Sequence, residues 1–273
     1  MASFAIGCGV VDIPALCRRG DPSGPAAFPV VAFDAANPDR YALPFEMPLA
    51  QANSRYGTLI ITDFQYPSLP VVNQYVLRSA AGGSAVSVHL QTNGQLAVTL
   101  RHAANTTSLL TPVLSAATPH TIMLGWDMEQ STNAAGTTLY VDDATQTAAT
   151  FAWNGGVGAT VQYNNMTGIT YIIGGASAAP GHSSNFSGQL GLLALDCTQQ
   201  LDIADSAVRD ALLPENIGAG GESGFGRIPE LFVTGNAAQW NSTEGINWGI
   251  SAEFIALAGA AVSDISGDAW ADS

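Results

Sequence analysis

The sequence predicts a mainly β fold, an antiparallel β-sandwich of the jelly-roll kind with one short helix and irregular N- and C-terminal extensions. Two observations carry this. From Tyr56 onward, short runs of alternating apolar and polar residues recur at even intervals, separated by turn residues. Only one segment shows apolar residues at helical spacing, and Pro214 closes it.

The strand-like runs are residues 58–64, 74–78, 85–90, 95–101, 120–127, 137–141, 169–173 and 189–196, preceded by 28–33 and 41–47. Thr92-Asn93-Gly94-Gln95 reads as a hairpin turn, because Asn-Gly tolerates the positive φ that primed turns require. The period-2 pattern places Ile122, Leu124, Trp126, Leu139, Val141, Ile172, Leu190, Leu192 and Leu195 inward. The helix is expected at 205–213, with Asp205 at its acidic start. Residues 216–226 read as a glycine-rich connector. They fail the G-x-G-x-x-G spacing, and no strand–helix pair frames them. A further strand is expected at 230–234, and an apolar segment at 254–262. The expected organisation is an N-terminal extension (1–50), a jelly roll (51–215), and a connector with a C-terminal β unit (216–273).

Composition excludes several function classes. All eight basic residues are arginine, so a Walker A loop, a Schiff-base lysine and a kinase lysine are impossible. The net charge of −14 offers no basic stripe for nucleic acid. No apolar run approaches the ~20 residues of a membrane helix, and Met1–Phe4 lack the charged start of a secretory signal. Cys8, Cys17 and Cys197 are three, with no C-x-x-C, so neither a disulfide framework nor a zinc site is expected; reduced thiols are the default, and Cys8 could pair with Cys17 only in an oxidising medium. The sparse charge leaves a surface of Ser, Thr, Asn, Gln, Gly and Ala, which suits packing against other proteins; the alternative is a GC-rich genome that replaces Lys with Arg.

Three consecutive places carry a resemblance: Pro119-His120-Thr121-Ile122-Met123-Leu124-Gly125-Trp126, then Thr137-Thr138-Leu139-Tyr140-Val141-Asp142-Asp143, then Ile173-Gly174-Gly175 with Phe186-Ser187-Gly188-Gln189-Leu190-Gly191. In this order they resemble the laminin-G/concanavalin-A-like family, over roughly residues 55–215. Asp143 stands where that family usually has Gly, so the turn type there is open. The flanks, Ile6-Gly7-Cys8-Gly9-Val10 with Ala15–Gly20 and Pro229–Asn236 with Asn247-Trp248-Gly249, resemble tailed-phage structural proteins. The resemblance implies a virion structural or accessory protein (capsid decoration, head fibre or tail-associated), assembled in the host cytoplasm. Its implied partners are other virion proteins, copies of itself and host-surface glycans. The alternative is a free carbohydrate-binding, lectin-like protein.

No catalytic constellation is found. The seven glutamates form no E-x-D-x-x-E strand pattern, and G-x-S-x-G and H-E-x-x-H are absent, so no enzyme is expected. His182-Ser183-Ser184 lies in a loop with no orienting acid nearby. Trp153 and Asn154, with Tyr163, are the candidate sugar-binding residues, since a ring beside a glycine turn can stack on a sugar; the competing reading plugs Trp153 into the sandwich end. No cofactor is expected. Calcium recurs in the family, and its candidate ligands here are Asp127, Asp142 and Asp143, which lack the D-x-[DN]-x-[DN]-G loop. His120 reads as a satisfied strand residue. Phe4, Ile6, Val10, Ile13 and Leu16, with Arg18 and Arg19, form a candidate assembly anchor, too apolar for a free tail in water. The competing reading has N-terminal strands completing the protein's own sandwich.

Overall fold

A computed structural model describes residues 30–34, 41–45, 53–79, 85–102, 105–130, 132–151, 160–163, 169–175, 184–217, 222–235, 237–240, 255–256 and 263–264. The strands are β1 (Val31–Phe33), β2 (Tyr41–Phe45), β3 (Tyr56–Phe64), β4 (Gln74–Ser79), β5 (Val86–Leu90), β6 (Gln95–His102), β7 (Asn105–Val113), β8 (His120–Asp127), β9 (Thr137–Val141), β10 (Ala144–Gln146), β11 (Ala149–Phe151), β12 (Ile169–Ile173), β13 (Gly188–Leu190), β14 (Leu192–Asp196), β15 (Leu231–Thr234), β16 (Ile255–Ala256) and β17 (Ser263–Asp264). The helices are α1 (Asn133–Gly136), α2 (Ser206–Leu212), α3 (Glu222–Phe225) and α4 (Ala237–Trp240).

A six-stranded sheet, ordered β10-β9-β8-β3-β14-β15, faces an eight-stranded sheet, ordered β11-β7-β6-β5-β4-β12-β2-β16. A small third sheet, β13-β1-β17, adjoins them. Among the described residues every pairing between these strands is antiparallel, and the architecture is the expected antiparallel β-sandwich. Strands from both flanks pair with the central ones: β1 with β13, β2 with β12, β15 with β14.

The core between the sheets follows the period-2 rule. Leu59 and Ile61 of β3, Leu124 and Trp126 of β8, and Leu193 and Leu195 of β14 meet Val86, Val88 and Leu90 of β5 and Val98 and Leu100 of β6. An aromatic knot joins distant segments. Phe186 stacks on Phe64 at 5.5 Å, and Phe33 meets the edge of Trp240 at 5.5 Å. Gly57 lets β3 pass over Trp126, since a Cβ there would sit 2.2 Å from the indole.

The outer face of the six-stranded sheet carries a second core. Ile60, Met123, Tyr140, Leu192, Ala194 and Phe232 lie under Ile203, Leu212, Ile217 and Phe225. Leu192 therefore faces away from the sandwich interior, contrary to the sequence reading. The alternation breaks at Gly191, between β13 and β14, so Leu190 and Leu192 do not share a face. Ile172 is also out of phase: its neighbours Tyr171 and Ile173 point into the sandwich core, while Ile172 is buried outside both clusters. The end of the expected connector folds as α3, whose Phe225 helps seal the second core; α1 and α4 are further short helices the sequence reading lacked.

Helix α2 starts where expected. Asp205 caps it, accepting from Ala207 N, and Leu213 ends it before Pro214. The Asn93-Gly94 hairpin is not the primed turn expected, and the turn left open at Asp142-Asp143 is primed. Gly94 alone has positive φ, at 85°, and Gly94 N bonds Gln91 O, so this hairpin is a type I turn followed by a left-handed glycine. The primed turn is at Asp142-Asp143, with φ 53° and 60°, between the paired Val141 and Ala144.

Candidate ligand-binding site

Most charged groups of the described residues serve the fold. Asp196 and Glu230 are fully buried where β14 and β15 meet, and both face Arg227, at 3.3 Å and 2.9 Å. Asp196 also accepts from Thr198 N and Gln199 Nε2, and Glu230 accepts from Cys197 N at 2.7 Å. Burial pushes the Glu230 carboxyl up and the Cys197 thiol well up, so this thiol is inert. Arg55 pairs with Glu129 at 2.8 Å. Arg209 lies over the Tyr140 ring at 4.0 Å and donates to Asp143 Oδ1 at 2.6 Å and to Ile203 O. Beside it is a cleft of about 210 Å³ lined by Met123, Tyr140, Asp142 and Leu213, with its arginine already committed.

The expected metal residues do not converge. Asp127 ends β8 and Asp142 lies beside that strand's start at His120; seven residues of extended chain separate the two ends by roughly 23 Å. Asp127 accepts from Glu129 N and Gln130 Nε2. Asp142 accepts from Thr121 N at 2.8 Å and meets His120 Nδ1 at 2.7 Å, and His120 Nε2 meets Ser115 O. These contacts hold the strained primed turn, and they make His120 the satisfied strand residue the sequence suggested. Among the described residues no three His, Cys, Asp or Glu side chains gather as a metal site.

Tyr163 is not a sugar platform. It is fully buried, accepts from Trp126 Nε1 at 3.1 Å and donates to Tyr56 O at 2.9 Å. Both ring faces and the hydroxyl are spent inside the core. Trp153, Asn154 and the anchor residues Phe4, Ile6, Val10, Ile13, Leu16, Arg18 and Arg19 lie outside the described residues, as do Cys8 and Cys17.

A different set converges on the outer face of the eight-stranded sheet. Tyr75 of β4 pairs with His89 of β5, and their rings stand 5.1 Å apart. His89 points away from the core, because its neighbours Val88 and Leu90 point into it, and Tyr75 shares that face as its pairing partner; a bulge between Tyr75 and Leu77 returns Leu77 to the core. Tyr75 also bridges Asn185, whose neighbour Phe186 is in the core, so Asn185 shares the face of Tyr75. Arg78 lies over the Tyr75 ring at 4.3 Å. Ser87, Thr99 and Ser108 continue the face along the paired register, with Thr99 Oγ1 2.9 Å from Ser108 Oγ.

Hydrogen bonding is unfinished here. Asn185 is 1% exposed, yet neither its Oδ1 nor its Nδ2 has a partner, and His89 Nδ1 is buried without one. Burial and the Arg78 charge lower the His89 pKa to about 4, so the imidazole is neutral at pH 7, with one nitrogen to donate and one to accept. Each unmade buried bond costs ~1–3 kcal/mol. Such groups take partners from ordered water or from a ligand. None of these residues was singled out from sequence. The available signal was His89 between the core residues Val88 and Leu90; the bulge between Tyr75 and Leu77 hides Tyr75 from any alternation reading.

No family model and no curated protein matches the chain. Solved structures with a similar course include a heptameric SAP-like pentraxin from Limulus polyphemus, with 13% identity over 64% of this chain and 78% of that one, TM-score 0.41. The CBM40 module of the Ruminococcus gnavus IT-sialidase aligns with 17% identity over 65% of this chain and 95% of that one, TM-score 0.44. Domains LG4-5 of the mouse laminin α1 chain align with 15% identity over 72% of this chain and 48% of that one, TM-score 0.42.

Proposed function

We propose that this protein is a non-enzymatic saccharide-binding sandwich whose binding face is Tyr75, His89 and Asn185. The observation that carries the reading is the Asn185 side chain: a buried amide with donor and acceptor both unmade, beside an aromatic ring. A sugar presents paired hydroxyls that donate and accept together, and C–H faces that stack on rings. An amide, a neutral imidazole and a tyrosine match both features. Against hydrolysis stands the locked state of Asp196 and Glu230, a carboxylate pair sealed from solvent and bonded to Arg227.

Titration of purified protein against a glycan panel tests this. Binding should be lost on Tyr75→Ala, and every bound oligosaccharide should be recovered intact. A panel with no binder, or a cleaved oligosaccharide, overturns the reading.

The setting we propose is display on a virion, where the flanks attach the sandwich to other particle proteins. Its support is the resemblance of the flanks, together with Leu69, Val71 and Val113, exposed by 55, 93 and 65%. Leu69 and Val113 converge at the Gly94 turn. Deleting residues 2–20 should leave the melting temperature almost unchanged while abolishing incorporation into particles. Normal incorporation, or collapse of the fold, contradicts the attachment role.

A further inference from the structure

We propose that the saccharide bound on this face carries an anionic group and that Arg78 recognises it; this rests on the saccharide reading above. The chain has 22 acidic residues against eight arginines. Arginines are therefore scarce, and most described ones are taken. Arg55 faces Glu129, Arg209 faces Asp143 and Arg227 faces Asp196 and Glu230. Among the described residues Arg78 makes no ion pair and donates no hydrogen bond; its contact is the Tyr75 ring.

The described residues around it give it no counter-charge. Tyr75, Ser87, His89, Thr99, Ser108 and Asn185 include no acid, and His89 is neutral at pH 7. The net charge of −14 does not reverse this locally, because at physiological salt fields fade over about 8 Å, and contact-range charge sets the sign. Guanidinium is a rigid fork of five donors, matched to two oxygens of a carboxylate or sulfate. Stacking on Tyr75 fixes its place beside the unmade bonds of Asn185 and His89. A ligand with hydroxyls on one side and an anion on the other satisfies all three side chains together.

The test titrates the full chain with a glucuronate-containing oligosaccharide, its carboxyl-reduced counterpart and its sulfated counterpart. The native protein should favour an acidic form by about tenfold or more. Arg78→Gln should erase that preference while the melting temperature holds, and Arg78→Lys should keep part of it. Preference for the carboxylate alone, or for the sulfate as well, identifies the anion, and both uphold the proposal. Equal affinity for acidic and reduced forms, or a preference unchanged in Arg78→Gln, overturns it and leaves the saccharide reading standing. Failure of the native protein to bind any of the three overturns both.

Discussion

The two sheets of this sandwich turn very different faces outward. Behind the six-stranded sheet, Ile60, Met123, Leu192 and Phe232 lie under Leu212, Ile217 and Phe225, an apolar layer with the arginine at its rim fully engaged. Behind the eight-stranded sheet, His89 and Asn185 keep polar atoms buried and unbonded beside the Tyr75 ring. One face is finished by the protein itself. The other is stable only because the rest of the fold carries its cost, and it is completed from outside. Natural proteins tolerate such local deficits where binding requires them.

The sharpest break of the comparison is Phe232→Ala. Removing a fully buried ring from the finished face should cost about 3–5 kcal/mol in chemical denaturation and leave saccharide affinity unchanged. A smaller stability loss, or a change in affinity, would mean the faces are not independent.

Acid should expose the unfinished face next. The folded His89 pKa is depressed from 6.5 to about 4, so between these values the unfolded chain binds more protons than the folded one. Stability from this residue is therefore complete above pH 6.5 and falls as pH drops toward 4, by an amount on the order of 3 kcal/mol. His89→Gln should flatten that window in a pH series of melting curves; an unchanged slope contradicts the assignment.

The smallest effect is expected at the rim. Asp143→Gly relieves a left-handed conformation worth about 1 kcal/mol and loses the Arg209 contact, made by a largely exposed carboxylate. The two should nearly cancel, leaving stability within about 1 kcal/mol of native and binding untouched. A large loss would make this ion pair a main support of the finished face.

What the sequence could reveal depended on how each strand is covered. On β8 and β9 the small or polar Thr121, Gly125 and Thr138 mark the outer side, so Ile122, Leu124, Trp126, Leu139 and Val141 were placed in the core from spacing. β14 is buried on both sides, its five residues are all sequestered, and no phase can be read from it, so Leu192 was put on the wrong face. β7 escaped notice because its inward positions include Thr107 and Thr111, whose hydroxyls meet His102 Nε2 and Leu96 N. The binding face was illegible for another reason. Tyr75, His89 and Asn185 belong to three separate segments that only strand pairing brings together. Tyr163 shows the converse error: an aromatic hydroxyl reads the same in sequence whether it meets solvent or Trp126.

The central claim is that the Asn185 amide is kept for a ligand and not for the fold, and Asn185→Leu tests it directly. Leucine of similar size removes two buried, unmade bonds, so the melting temperature should rise by about 2–4 °C per kcal/mol regained, while saccharide binding disappears in the same preparation. A lower melting temperature with saccharide affinity intact would show the amide to be a structural group and would contradict the account.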